Sequence, residues 1–132
     1  MKHPLISQPT NLSVKEVADK LCALLAQKNI HLFARINHGE AAIQSGLQLG
    51  QEEVVVFGDP KVGTYLMQEC PAVGYELPLR IVIWEDNGTW IGYRDPKHLL
   101  EEYQLEKHRE VVEKMSGLMA VLIGELVKTQ VA

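Results

Sequence analysis

The chain has 132 residues, 46% of them hydrophobic and 23% charged, which is ordinary for a soluble globular sequence and sets one domain with room for a real core. Its net charge is −4, from 13 basic and 17 acidic residues, and no cluster of Lys and Arg occurs. A nucleic-acid-binding surface normally shows a basic face, so the charge argues against that class. Cys22 and Cys70 are far apart and lack C-x-x-C spacing, which points to a reducing compartment rather than a disulfide framework. The opening MKHPLISQPTNLS lacks the apolar core of a signal peptide. The longest apolar run, LMAVLIG at 118–124, is far too short to span a bilayer. The expected setting is the cytoplasm, with no membrane and no nucleic acid as partner.

Residues 4–7, PLIS, read as a short strand. Ser13 followed by Glu16 is a capping box, in which each side chain satisfies a backbone N–H at a helix start. Val14, Val17, Leu21, Leu24 and Leu25 then recur at helical spacing, predicting an amphipathic helix over 14–28 that stops at Asn29. HLFARIN at 31–37 alternates, with Leu32, Ala34 and Ile36 on one face and Phe33, Arg35 and Asn37 on the other. A short helical turn through Glu40 to Gln44 ends at Gly46. EVVVF at 53–57 is a continuous apolar strand, interior to a sheet. LRIVIWED at 79–86 and TWIGYRD at 89–95 flank Asp86-Asn87-Gly88 and form a hairpin. A short helix follows over 97–104. A long one over about 106–128 carries a stripe of Val111, Val112, Met115, Leu118, Leu122 and Leu126. Gly117 and Gly124 share one face of it and allow close approach of a second helix. Helices interrupt strands early and a hairpin comes late, so the fold class is α+β rather than a doubly wound parallel sheet.

The stretch VVVFGDPKVGTYLM at 54–67 invites comparison with a phosphate-binding loop. Gly58 and Gly63 bracket four residues, but Thr64 follows Gly63 directly, and the lysine of such a loop is missing. Pro60 also removes one backbone N–H. A simpler account uses every residue. Gly58 ends the strand, Asp59 caps a helix, Pro60 takes its first position, the helix runs Lys61 to Glu69, and Pro71 stops it.

INHGEAA at 36–42, GLQL at 46–49, VVVFGDPKVGTYLM at 54–67, ELPLRIVIWED at 76–86 and YRDP at 93–96 resemble the domain-of-unknown-function family 302, in order and spacing, over nearly the whole chain. The resemblance implies a single small α+β domain. In it a curved, mainly antiparallel sheet has helices packed on it and a long C-terminal helix, akin to TATA-binding-protein-like folds. It implies no established activity and no cofactor. Carried over, the marked positions are His38, Gly46, Gly58, Pro60, Gly63, Thr64, Met67, Pro78 and Tyr93. The chain departs from the family pattern at Asn37, where an aspartate is usual, and at Asp59, where an asparagine is usual. Asn37 cannot act as a base beside His38.

His38 is the one candidate for catalysis, as a general acid or base near neutral pH. The bland alternative is a histidine that bonds a loop carbonyl at a strand end. Arg35 and Asn37, with Arg80 or Arg94, could grip a carboxylate or phosphate, or belong to a solvated sheet face. His38, Met67, Cys70 and His98 are soft ligands suited to copper, but lack ligand spacing, so no metal site is assigned. His31, His98 and His108 read as surface residues. Trp84 and Trp90 are expected to stack across the hairpin. The leading expectation is a non-catalytic small-ligand-binding or interaction module. Its pocket would be shared by the end of the 31–37 strand and the 58–67 turn, with Arg35, Asn37, His38, Gly58, Gly63, Thr64, Met67 and Tyr93 as its residues. The alternatives are a small enzyme using His38, with Thr64 or Tyr93 placing substrate, and a metal-binding or redox protein. A homodimer is expected, through the C-terminal helix or a sheet edge.

Overall fold

The computed structural model describes residues 3–128, Lys128 by its backbone alone. Its elements run β1 (Ile6–Thr10), α1 (Val14–Gln27), β2 (His31–Asn37), α2 (His38–Gln44), β3 (Glu52–Gly58) and α3 (Pro60–Glu69), followed by a 3-10 turn over Pro71–Glu76. The second half holds β4 (Leu79–Glu85), β5 (Thr89–Tyr93), α4 (His98–Glu102), a short 3-10 turn and α5 (Arg109–Lys128). The five strands form one antiparallel sheet in the order β1-β5-β4-β3-β2. The α+β class, the antiparallel sheet and the long C-terminal helix are all present.

Local chemistry sets the boundaries. Ser13 and Glu16 close the capping box at the start of α1, with the Ser13 hydroxyl accepting from the Glu16 N–H and the Glu16 carboxylate from the Ser13 N–H. Asn29 leaves α1 with φ +56°, a conformation that asparagine tolerates better than most residues. Asp59 caps α3 by accepting from the Lys61 N–H at 2.9 Å, and Pro60 occupies the first turn, where its missing N–H costs nothing.

Alternation along the strands sorts the two sheet faces. Val55, Phe57, Ile81, Ile83 and Ile91 point toward α1 and the second half of α5, forming the main core with Val17, Leu21, Leu25, Met119, Leu122 and Leu126. A second cluster joins α3 and the first half of α5 through Leu66, Val73, Leu99, Leu105, Val112 and Met115. Leu79 packs on both clusters. The opposite face of the sheet carries Ile36, Val54, Val82, Trp84 and Trp90 by register and, among the described residues, has no helix over it. On that face the Trp84 ring lies over Gly92, where an added Cβ would stand 2.8 Å from Trp84 Cζ3. Trp84 and Trp90 are register partners, but the indole lies across Gly92 and the Trp90 N–H donates to the Asp86 carbonyl at 2.9 Å. The expected stacking of the two rings is replaced by this seat.

Strand β2 departs from strict alternation. Its register with β3 slips between Leu32 and Ala34, so Leu32 pairs with Phe57, Ala34 with Val56, and Phe33 has no partner. Such a bulge re-aims a side chain and commonly lies beside a site.

Candidate functional site

The antiparallel pairing of β2 with β3 decides where the candidate residues go. His31 is the register partner of Gly58, and Asn37 is the partner of Glu53. His38 therefore leaves the sheet at the end opposite Gly58, with the length of β3 between them, about 20 Å at the usual strand rise. The expectation of one hollow shared by His38 and the 58–64 corner is corrected: an antiparallel partner carries the strand end after Asn37 and the strand end at Gly58 in opposite directions.

His38 opens α2 and is exposed, with no side-chain hydrogen bond among the described residues. The next residue, Gly39, is buried because α2 lies against the chain at 50–52; an added Cβ would stand 3.1 Å from the Gly50 carbonyl oxygen. The Asn37 side chain caps α2, accepting from the Glu40 N–H at 2.9 Å. Arg35 is committed twice. Its Nε donates to Glu53 at 2.6 Å and its Nη1 to Asp19 on α1 at 2.8 Å. These two carboxylates raise the Arg35 pKa, the hydrogen bond to Glu53 chiefly, and they fill the positions a ligand carboxylate would take. Arg94 is likewise paired, with Glu102 at 2.6 Å. Tyr93 is 8% exposed within the main core, and burial, with Asp95 nearby, pushes its hydroxyl pKa up.

The remaining four candidates do converge. Gly58, Gly63, Thr64 and Met67 line a hollow of about 570 Å³ where α3 stands off from the sheet and α5. This size lies in the range of small-molecule sites. The sheet contributes Phe33 and Leu79, the residue before β2 gives Ile30, the chain before β4 gives Leu77 and Pro78, and α5 gives Val111, Met115 and Leu118. The lining is overwhelmingly apolar. Its charged members are Lys114 and Asp59, and the Asp59 carboxylate already accepts from the Lys61 N–H. The Thr64 hydroxyl donates back to the Pro60 carbonyl at 2.7 Å. The two hydrophobic clusters share Leu79 as a packing partner, and glycines at 58 and 63 put no side chain into the gap between them, while Met67 fills the space beside Gly74.

At the rim, Tyr65 stacks on His108 with ring centroids 6.1 Å apart. His108 Nδ1 stands 2.8 Å from Glu69 Oε1, and the Lys107 N–H donates to Glu69 Oε2. Despite partial burial, the bonds from Lys107 and His108 hold the Glu69 carboxyl below its ordinary pKa. Sequence reading set His108 aside because its partner is 39 residues away. It also missed Ile30, Phe33, Val111 and Lys114. The stripe on α5 marked Val111, Met115 and Leu118 as apolar but could not say that they face a hollow. Among the described residues, no three His, Cys, Asp or Glu stand close enough to hold a metal ion.

The family model for the domain of unknown function DUF302 matches residues 6–122. This chain belongs to the DUF302 family. A crystal structure of an uncharacterised conserved DUF302 protein from Bacillus stearothermophilus superposes with a TM-score of 0.81, covering 96% of this chain and 99% of that one at 18% identity. That likeness establishes the DUF302 fold here and nothing finer. Curated relatives include fluoride-specific ion channel FluC 1 of Brucella suis, 32% identical over 112 residues, which are 83% of this chain and 44% of that protein. FluC 2 of Brucella melitensis is 32% identical over 112 residues and is covered to 42%. The DUF302 chain thus spans less than half the length of these relatives. Among its described residues, no helix is long and apolar enough to cross a membrane.

Proposed function

We propose that this DUF302 protein is a non-catalytic module that binds a small, largely apolar ligand in the hollow between α3, α5 and the β3 end of the sheet. The observation that carries this reading is the hollow itself: about 570 Å³, apolar, and bordered by Phe33, which the β2 bulge releases from strand pairing. Burial of apolar surface would supply the affinity, at roughly 25 cal/mol per Å². Lys114, the basic residue of the lining, favours a ligand with an anionic end. His38 takes no part, and neither do Arg35, whose guanidinium is held by Glu53 and Asp19, and Asn37, whose side-chain oxygen caps α2. Two separated free cysteines support a reducing, cytoplasmic setting. Channel activity is no part of this proposal, since the match covers less than half of the relatives that bear that name.

The test is fluorescence titration with anilinonaphthalene sulfonate, an apolar anionic probe, and with a neutral naphthylamine. Both are expected to bind saturably. In Gly63→Leu the new side chain starts with ordinary contacts, its Cβ 3.7 Å from Leu77 Cδ1 and 3.8 Å from Met67 Cε, and extends into the hollow. Affinity for both probes should fall by about tenfold or more with the circular dichroism unchanged. Lys114→Glu should weaken only the anionic probe, and His38→Ala neither. Equal binding by wild type and Gly63→Leu would end this assignment.

A further inference from the structure

We propose that the helix-free face of the sheet is the interface of a two-fold homodimer, in which Arg80 of each protomer faces the partner's Glu52 and the partner's Trp84. On this face β3 presents Glu52, Val54 and Val56, and β4 presents Trp84, Val82 and Arg80, in direct register pairs. β2 adds Ile36, which is 43% exposed. Both α1 and α5 pack on the other face, so among the described residues no helix lies above these apolar side chains. The N-terminal segment reaches the face at its Trp84–Gly92 corner, with the His3 ring edge-on to Trp84 at 6.2 Å. Tyr75, beside the face next to Arg80, is 86% exposed.

The charges on this face identify the occupant as a second copy. Arg80 and Glu52 lie on neighbouring strands at opposite ends of the apolar strip, about 13 Å apart along the strand direction. Neither side chain has a hydrogen bond or ion pair among the described residues. A two-fold axis running across the strands at the Val54–Val82 level reverses strand direction and lays each strand over its own copy. That operation sets Arg80 opposite the partner's Trp84 and offset sideways by one strand spacing, about 4.8 Å, from the partner's Glu52, so that the two long side chains reach toward each other across the gap between the sheets. Each protomer's positive end thus meets the other's negative end, giving two such pairs per dimer with Val54 and Val82 between them. Two sheets pack this way at about 10 Å, with strands nearly aligned. A guanidinium over an indole adds a cation–π contact, and a two-fold interface requires this self-complementarity. The edge strand β2 lacks such an arrangement, because Arg35 is spent within the chain.

Sedimentation velocity and light scattering on the full chain provide the test. The wild type should have twice the chain mass of 14.8 kDa. Arg80→Glu and Glu52→Arg each place like charges together twice per dimer and should raise the dimer dissociation constant about a hundredfold or more. The double variant Arg80→Glu/Glu52→Arg restores both pairs and should dimerise again, while circular dichroism confirms that all variants fold. A monomeric wild type, a single reversal that stays dimeric, or a double variant that stays monomeric would each overturn the interface.

Discussion

Arg35 is the residue at which a ligand role and a structural role predict opposite outcomes. Its guanidinium bonds Glu53 at 2.6 and 3.3 Å, and the Glu53 side chain is 6% exposed. In Arg35→Leu that carboxylate would remain in the protein without its cation. Breaking a buried pair from one side costs about 3–5 kcal/mol, and the 30% exposure of Arg35 lets water offset part of that, leaving about 2–3 kcal/mol. The Asp19 contact is exposed and adds at most about 0.5 kcal/mol. A chain of 132 residues unfolds with an entropy of about 0.28 kcal/mol per kelvin, so Tm should fall by about 9 °C. The double variant Arg35→Leu/Glu53→Leu removes both charges and should recover most of the loss, since an apolar pair of similar volume often replaces a buried ion pair without penalty. Thermal and urea unfolding followed by circular dichroism, at fixed protein concentration, measures all three proteins. A single variant within about 0.5 kcal/mol of wild type, or a double variant no better than the single, would refute the structural role and return Arg35 to the ligand candidates.

Gly92→Ala puts a Cβ 2.8 Å from Trp84 Cζ3 and 3.1 Å from its Cη2; the indole must move, at a cost of about 1–3 kcal/mol. Its fluorescence maximum should shift with the loss, and an unchanged spectrum would mean that the ring does not rest on Gly92. Glu102 reports on acid stability. Hydrogen bonds from His98 and then Arg94 hold its carboxyl below the ordinary value of 4.5, so it contributes stability above that pH and loses it as pH falls through the lower folded value. Glu102→Gln should therefore be less stable than wild type at neutral pH, and the two should converge in acid; parallel stability curves would contradict the pairing.

The sequence located elements well where the determinants are local. Ser13 with Glu16, Asp59 with Pro60, and the Asn87-Gly88 turn each act over two or three residues, and all form as read. The corner at 58–67 was correctly taken as strand turning into helix, and four of its residues do line the hollow. His38 was misplaced for a non-local reason. Nothing within residues 31–58 states that β2 and β3 are antiparallel neighbours, and that pairing alone sends Asn37 and Gly58 to opposite ends of the sheet. For Arg35 the sequence leaves a ligand role and a salt-bridged sheet face both open, because its partners Asp19 and Glu53 lie 16 and 18 residues away.

By itself, the sequence determined the α+β class, the caps, the hairpin and the family, because periodicity and capping are properties of neighbouring residues. Only the tertiary structure decided that the bulge frees Phe33, that α3 and α5 stand apart at Leu79, and that Val54, Val82, Arg80 and Glu52 share an open face. A hollow and an uncovered face are set by what fails to pack together, and no single segment of chain carries that information.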